Sequence, residues 1–562
     1  MAEADLVLRG GTICDGTGAP PTVGDLTVRD GRIAEVGPVG ARGARDVDVR
    51  GLIVAPGFVD VHTHYDAQIT WDPLCTPSCW HGVTSVVLGN CGFAVAPCRP
   101  GDRERVLRML EHVEGMPYAS LSSGVRWDWE SVPEYLRMID AQPLGPNVGV
   151  LLGHSTLRMY VLGADAYERA ASDDEITCMQ ATVEEGMAAG ALGLGTSRSP
   201  GHVGEGGRPV PSRAASRAEL HALVTAMAAC GRGVLEITPE TFPIEAAELE
   251  ELQRLSRETG RPISFSAVLD QPERDGVWEP VFAQLRAGNT AGATVLAQVS
   301  CRPMRFEFDL ERGCASLDVL PCWQRVRALG STDERLALLR GPEFRATLRA
   351  EALGRPDAPS ARRWASVILE ESGHEPHRSL LGCSLAEVAA ERGGDVIDAL
   401  VDLAMEDRLG ARFSMVLLNY DEDRVGELLR RPESLIALSD AGAHVSILCD
   451  AGYATHLLGH WVRERGLFSW QEAVRRLTSM PADLYGIPNR GRLVPGAVAD
   501  VTCFDPARVA MRELRRVRDL PGGAERLVVD ADGIEYVLIG GQPFIDGGEW
   551  TGAHPGRLLR PS

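Results

Sequence analysis

Between residues 57 and 485 the chain repeats one pattern: a short apolar run, then a stretch of helical period. The apolar runs are Val59–Val61, Ser85–Leu88, Val148–Gly153, Leu192–Gly195, Val234–Ile237, Ile263–Val268, Val295–Val299 and Leu435–Ser439. Short apolar runs bounded by helical segments read as buried parallel strands. The helical segments include 102–114, 173–189, 216–230, 244–259, 384–407 and 470–479. Eight such strands alternating with helices predict an α/β fold, a (β/α)8 TIM barrel. Residues 304–380 break the alternation; they are rich in Arg, Glu and Pro and read as an inserted lid or subdomain.

The two ends of the chain use a different grammar. Asp5–Arg9, Thr12–Cys14, Asp25–Val28 and Arg32–Val36 are short alternating runs separated by Gly10-Gly11 and Asp30-Gly31. Such dipeptides mark hairpin turns. The C-terminal runs Ala499–Asp505 and Ile534–Ile539, followed by Gly540-Gly541, repeat it. The reading is therefore a barrel of residues 57–303 and 381–485, an insertion at 304–380, and a small β-sandwich built from 1–56 and 486–562.

Composition removes several classes of function. The formal net charge is −21, which disfavours nucleic acid and anionic membranes as partners, since both call for a basic footprint. The sequence contains no lysine, so all 57 residues counted as Lys+Arg are arginine. Schiff-base chemistry and anchoring of pyridoxal phosphate are excluded with it. Thirteen cysteines, thinly spread over a long chain, are not a disulfide scaffold. They read as thiols of a reducing cytoplasm. The first residues show no signal-peptide pattern, and no apolar run is long enough to span a membrane.

In a barrel the chemistry gathers where strands end. His62 and His64 close the first apolar run, and residues i and i+2 of a strand share a face. Both imidazoles can therefore aim at one metal ion. Cys91 follows the second strand, His154 the third and Asp440 the eighth. Glu236 lies within the fifth strand. Arg158, Arg198 and Arg302 lie near strand ends and can clamp a substrate carboxylate. His444 is close to Asp440 in sequence. The Gly- and Pro-rich segment 198–216 reads as a substrate loop.

The run Pro56-Gly57-Phe58-Val59-Asp60-Val61-His62-Thr63-His64 resembles the first-strand signature of the amidohydrolase superfamily. His81-Gly82-Val83-Thr84-Ser85, Gly89-Asn90-Cys91-Gly92, Ser439-Asp440 and Arg490-Gly491-Arg492-Leu493 are similar to its N-acyl-D-amino-acid deacylase (D-aminoacylase) branch. The resemblance implies a barrel beside a sandwich of both termini. It implies metal-assisted hydrolysis of a small-molecule amide, foremost an N-acyl-D-amino acid. Bound Zn²⁺ lowers the pKa of its water to about 7, and a carboxylate serves as general base and then acid. By position, His62 and His64 match metal ligands, and Asp440 matches the carboxylate that meets metal and water. Cys91 matches the cysteine that takes the bridging role held elsewhere by a carbamylated lysine, which this chain lacks.

One departure stands out. The branch carries metal-binding histidines on strands five and six, where this chain reads Val234-Leu235-Glu236-Ile237-Thr238 and Ser264-Phe265-Ser266. Two readings follow. The first is a hydrolase with one zinc, or another first-row divalent ion, on His62, His64, Asp440 and Cys91. The second is a non-hydrolytic or degenerate relative: a ligand-binding protein, a lyase or an isomerase. The sequence leaves Glu236 open as an oxygen ligand or a hydrogen-bonding group, and it gives no oligomeric state.

Overall fold

The computed structural model describes residues 4–38, 40, 42–271, 274, 276–354 and 360–561. Its eight-stranded sheet is made of Phe58–Asp60 (β1), Val83–Leu88 (β2), Asn147–Gly153 (β3), Gly193–Ser197 (β4), Val234–Thr238 (β5), Ile263–Val268 (β6), Val295–Val299 (β7) and Ser434–Ile436 (β8). Neighbours in sequence are neighbours in the sheet, from β1 through to β8, and each pair is parallel. The ring closes just beyond the strands, where Thr63 and Ala441 form a parallel bridge and His64 N–H donates to the Ala441 carbonyl at 2.7 Å. The eight runs read from the sequence are these eight strands, with ends moved by at most three residues.

Residue alternation sorts the faces of each strand. Leu235, Ile237, Ile263, Phe265, Ala297 and Val299 pack in the large core that also holds the helical residues Leu220, Leu249 and Phe282. Glu236, Thr238, Ser264, Ser266 and Gln298 therefore turn the other way, toward the barrel axis. Close approach of β2 and β4 requires glycine. A Cβ on Gly195 would stand 2.1 Å from the Gly89 carbonyl oxygen.

The chain ends meet in one nine-stranded sheet. Val501–Phe504 pairs antiparallel with Ile53–Pro56, and Leu8, Leu26, Val28, Ile33, Val54, Val501 and Leu538 bury together on it. Asp500 fastens this sheet to the barrel. Its carboxylate accepts from Arg490 at 2.7 Å, from Asn147 at the start of β3 at 3.0 Å, and from the Gly540 N–H at 2.7 Å.

A second compact unit comprises mainly Pro303–Asp421. A three-stranded antiparallel sheet places Arg412–Leu418 between Met304–Asp309 and Ile368–Glu371. Its own core includes Trp323, Leu348, Trp364, Leu400 and Phe413. The unit extends past residue 380 because its central strand comes last in sequence. The helix expected over 384–407 is two helices, Leu385–Arg392 and Val396–Glu406. Gly393, with φ of +75°, ends the first, and Asp395 caps the second through the N–H groups of Ile397 and Asp398. Among the described residues, no helix is long and apolar enough to cross a membrane.

The Gly89–Gly195 contact yields a test of the barrel. Gly195→Ala should lower stability by about 1–3 kcal/mol, the usual cost of overpacking, read as a lower urea midpoint with an unchanged slope. An unchanged midpoint would show that this approach does not set the strand spacing.

Candidate metal centre

The first two ligand candidates lie just past β1 in an extended run that is held from both sides. Thr63 N–H donates to the Val87 carbonyl at 3.2 Å, and Ser439 Oγ donates to the His62 carbonyl at 3.0 Å. Within this frame the two imidazoles stand 5.3 Å apart, centroid to centroid. His62 Nε2 lies 3.2 Å from Asp440 Oδ1, and His64 Nε2 lies 3.8 Å from the same oxygen. Cys91 Sγ is 3.5 Å from His62 Nε2. The donor atoms of His62, His64 and Cys91 all lie within 4.8 Å of one another. Four donors on one tetrahedral zinc, at 2.0–2.3 Å each, are separated by about 3.3–3.6 Å. The observed spacings bracket that range.

The far side of each ring supports the same assignment. His62 Nδ1 donates to Gln298 Oε1 at 2.6 Å, and Gln298 Nε2 donates onward to Ser264 Oγ at 3.0 Å. With its hydrogen on Nδ1, neutral His62 presents a lone pair on Nε2. His64 Nδ1 faces Glu114 Oε1 at 3.1 Å. A metal-bound histidine characteristically hydrogen-bonds its second nitrogen, as His62 does to Gln298, whereas His64 and Glu114 are in ion-pair contact.

The cluster is short of positive charge. Burial alone would lower the pKa of both rings. Instead Cys91 and Asp440 hold His62 well above the usual imidazole value, and Glu114 and Asp440 do the same for His64. Burial pushes Asp440 upward, but the two imidazoles outweigh it and hold the carboxylate well below its usual range. Asp60 and Asp66, fully enclosed beside the ligands, are pushed up to about 7 by burial.

Strand five enters through Cys91. Glu236 Oε2 accepts the Cys91 backbone N–H at 2.6 Å, and Oε1 accepts Ser266 Oγ–H at 3.1 Å. Thr238 Oγ1 donates to Cys91 Sγ at 3.2 Å.

Of the remaining sequence-nominated residues, His154 and the three arginines are held elsewhere, whereas His444 borders the cluster through Glu114. His154 Nε2 meets Glu219 at 3.0 Å and its Nδ1 meets Thr196 at 2.8 Å. Arg158 is fully buried against the same Glu219, with its other nitrogens on the Ala166 and Arg169 carbonyls. Arg198 pairs with Glu248 at 3.2 Å and Glu251 at 3.1 Å. Arg302 sits against Asp450 at 2.8 Å. His444, at φ of +53°, donates its backbone N–H to the Glu114 carbonyl. The three arginines are thus held by protein carboxylates, whereas His62, His64, Cys91 and Asp440 are brought together.

Sequence reasoning missed Gln298, Glu114 and His202. Gln298 had a signal, as a lone polar residue in Val295-Leu296-Ala297-Gln298-Val299. Glu114 ends the helix Arg103–Glu114 and has none. His202 lies in the nominated substrate loop, fixed by Ser197 Oγ at 2.6 Å and edge-on to Phe93. Burial pushes its pKa down to about 4, keeping it neutral.

A second triad, His374, His377 and Glu406, lies in the other unit. Two of its members are satisfied without an ion: His377 bonds Ser372 at 2.8 Å and Glu406 at 2.6 Å, and Glu406 also meets Arg392 at 2.9 Å.

Comparison with known proteins gives a consistent picture. The amidohydrolase family matches residues 45–313 and 349–545. D-aminoacylase of Alcaligenes xylosoxydans xylosoxydans is 31% identical over 558 residues, covering 99% of this chain and 97% of that protein. N-acyl-D-glutamate deacylase of Bordetella bronchiseptica has been solved with zinc and a phosphonate mimic of the tetrahedral intermediate. It superposes with a TM-score of 0.66 at 28% identity, over 99% of each chain. A D-aminoacylase structure, described for a binuclear centre with one-metal activation and second-metal attenuation, gives a TM-score of 0.66 at 27% identity. It covers 99% of this chain and 100% of that one.

Glu219 provides a test that needs no metal. His154 and Arg158 overcome its burial and lower its pKa from the ordinary 4.5 to about 2. A carboxylate with a depressed folded-state pKa contributes stability above its unfolded value and loses it as the pH falls through the folded one. Stability should therefore drop between about pH 4.5 and 2. Glu219→Gln should flatten that limb and cost about 3–5 kcal/mol at pH 7, because it strands a buried guanidinium. Denaturant unfolding across pH reads both effects.

Proposed function

This chain is a member of the amidohydrolase family, and from that premise we propose that it deacylates small N-acylated amines, N-acyl-D-amino acids foremost, with one zinc ion on His62, His64, Cys91 and Asp440. It is a metal-dependent hydrolase of non-peptide C–N bonds. The observation that carries the reading is the convergence of His62, His64 and Cys91, with Asp440 3.2 Å and 3.8 Å from the two imidazoles and Gln298 and Glu114 facing them from behind. The free thiols of all thirteen cysteines accord with work in a reducing compartment.

Zinc, when bound there, supplies Lewis-acid polarisation of the scissile carbonyl and an activated water near neutral pH. The residues of the chain do the rest. Asp440 is the group at the mouth able to move a proton: its side chain is 19% exposed, while His62 and His64 are enclosed. Its carboxylate takes the proton of the attacking water and returns it to the leaving nitrogen. Gln298 and Glu114 keep the imidazoles from turning. His202, neutral and next to Phe93, lines the open side and offers a hydrogen bond to the substrate.

Purified protein should contain about one zinc per chain and hydrolyse members of a panel of N-acyl-D-amino acids. His62→Ala should lose both metal and turnover. Asp440→Asn should keep the fold and lower kcat by about 10²–10⁴-fold, the usual worth of a general acid–base. Chelation should abolish turnover, and zinc should restore it. Fully loaded protein that hydrolyses no amide of either hand would overturn the assignment.

A further inference from the structure

Glu236 is a completely buried carboxylate at the heart of the barrel. Burying a charge is costly unless hydrogen bonds repay it, and here both oxygens are used: Oε2 by the Cys91 N–H at 2.6 Å and Oε1 by Ser266 at 3.1 Å. The residue it holds is in an unusual state. Cys91 has φ of +55°, between Gly89 at +84° and Gly92 at +77°. For a residue with a side chain that region is sparsely occupied, and it persists only where the surroundings fix it. Two residues further along the same face of β5, Thr238 donates to the Cys91 sulfur at 3.2 Å. One strand thus grips Cys91 twice, at its backbone nitrogen and at its sulfur.

We infer that Glu236 is a positioning residue which acts on the metal through Cys91: it locks the left-handed turn that aims the thiolate at the ion. The inference rests on the metal reading of the site and sharpens it. Strand five contributes no ligand of its own, and the oxygens of Glu236 are committed to protein donors. The site is therefore built for a single ion, with Glu236 as part of the reason.

The test is metal binding and cobalt spectroscopy on the full chain. Wild type, Glu236→Gln and Glu236→Ala are loaded with zinc for stoichiometry and with cobalt(II) for the thiolate-to-metal charge-transfer band. Glutamine keeps an oxygen that accepts the Cys91 N–H, so Glu236→Gln should retain one ion per chain and the band. Glu236→Ala frees the turn and should weaken the band, with metal affinity falling about 10–100-fold, as for other groups that orient ligands. Two zinc ions in wild type with one in Glu236→Gln would make Glu236 a ligand and overturn the inference. So would an alanine variant of lowered Tm whose band and affinity are unchanged. Should the alanine variant not fold, the glutamine stoichiometry still decides. A wild-type protein that binds neither zinc nor cobalt would overturn the metal reading itself, an outcome distinct from the other two.

Discussion

Four carboxylates, Asp60, Asp66, Glu114 and Glu236, are buried at the mouth of this barrel beside two imidazoles and a thiol, with Asp440 partly exposed above them. A charge taken out of water is tolerable only when it is paired or well hydrogen-bonded. The chain has no lysine with which to pair them. The local structure answers by other means. Backbone N–H groups of Gly89, Cys91 and His62 serve Asp66, Glu236 and Asp60 in turn. Burial pushes Asp60 and Asp66 toward neutral forms. What remains is a ring of ligand atoms whose common need is a cation.

The contrast with His154 shows how such a need can be met without a metal. There a buried histidine and a buried carboxylate also face each other, but Arg158 lies fully enclosed between Glu219 and two carbonyls. The guanidinium closes the charge balance inside the protein, and no donor is left pointing into open space. The His374 cluster is closed in the same manner by Arg392. Among the described residues, no guanidinium fills the centre of the His62 cluster. The three histidine–carboxylate groupings thus differ in the source of the positive charge and in burial: His62, His64 and Cys91 are enclosed, whereas Glu406 is exposed.

Most of the barrel was legible because buried parallel strands leave a plain mark, a short apolar run between amphipathic stretches. His62, His64, Cys91 and Asp440 were nominated because each follows such a run, and the structure brings their donor atoms together. The residues that orient them were harder to see. Glu114 is 50 positions from its partner His64 and ends a surface helix, so only the packing of that helix over the mouth joins them. Arginine positions misled for the opposite reason: lying near a strand end places a residue near the mouth but not facing it. Arg198 leaves β4 and turns to Glu248 and Glu251 on the next helix. The second unit blurred because its sheet is antiparallel and its central strand arrives last, at Arg412–Leu418, long after the sequence pattern has returned to helices.

The absence of histidine from strands five and six bears on charge as much as on ligand count. One Zn²⁺ on a Cys91 thiolate, an Asp440 carboxylate and two neutral imidazoles sums to zero, the state an enclosed site tolerates best. A second divalent ion there would call for further anionic donors. The candidates on the axial face of β5 and β6 are Glu236, whose two oxygens are occupied, and Ser264 and Ser266, neutral hydroxyls already bonded to Tyr485 and Glu236. Those hydroxyls belong to two hydrogen-bonded sets, Thr238, Ser266 and Glu236 around Cys91, and Ser264, Tyr485 and Gln298 behind His62. On strands five and six the axial side chains are thus engaged in hydrogen bonds, two of them to Cys91.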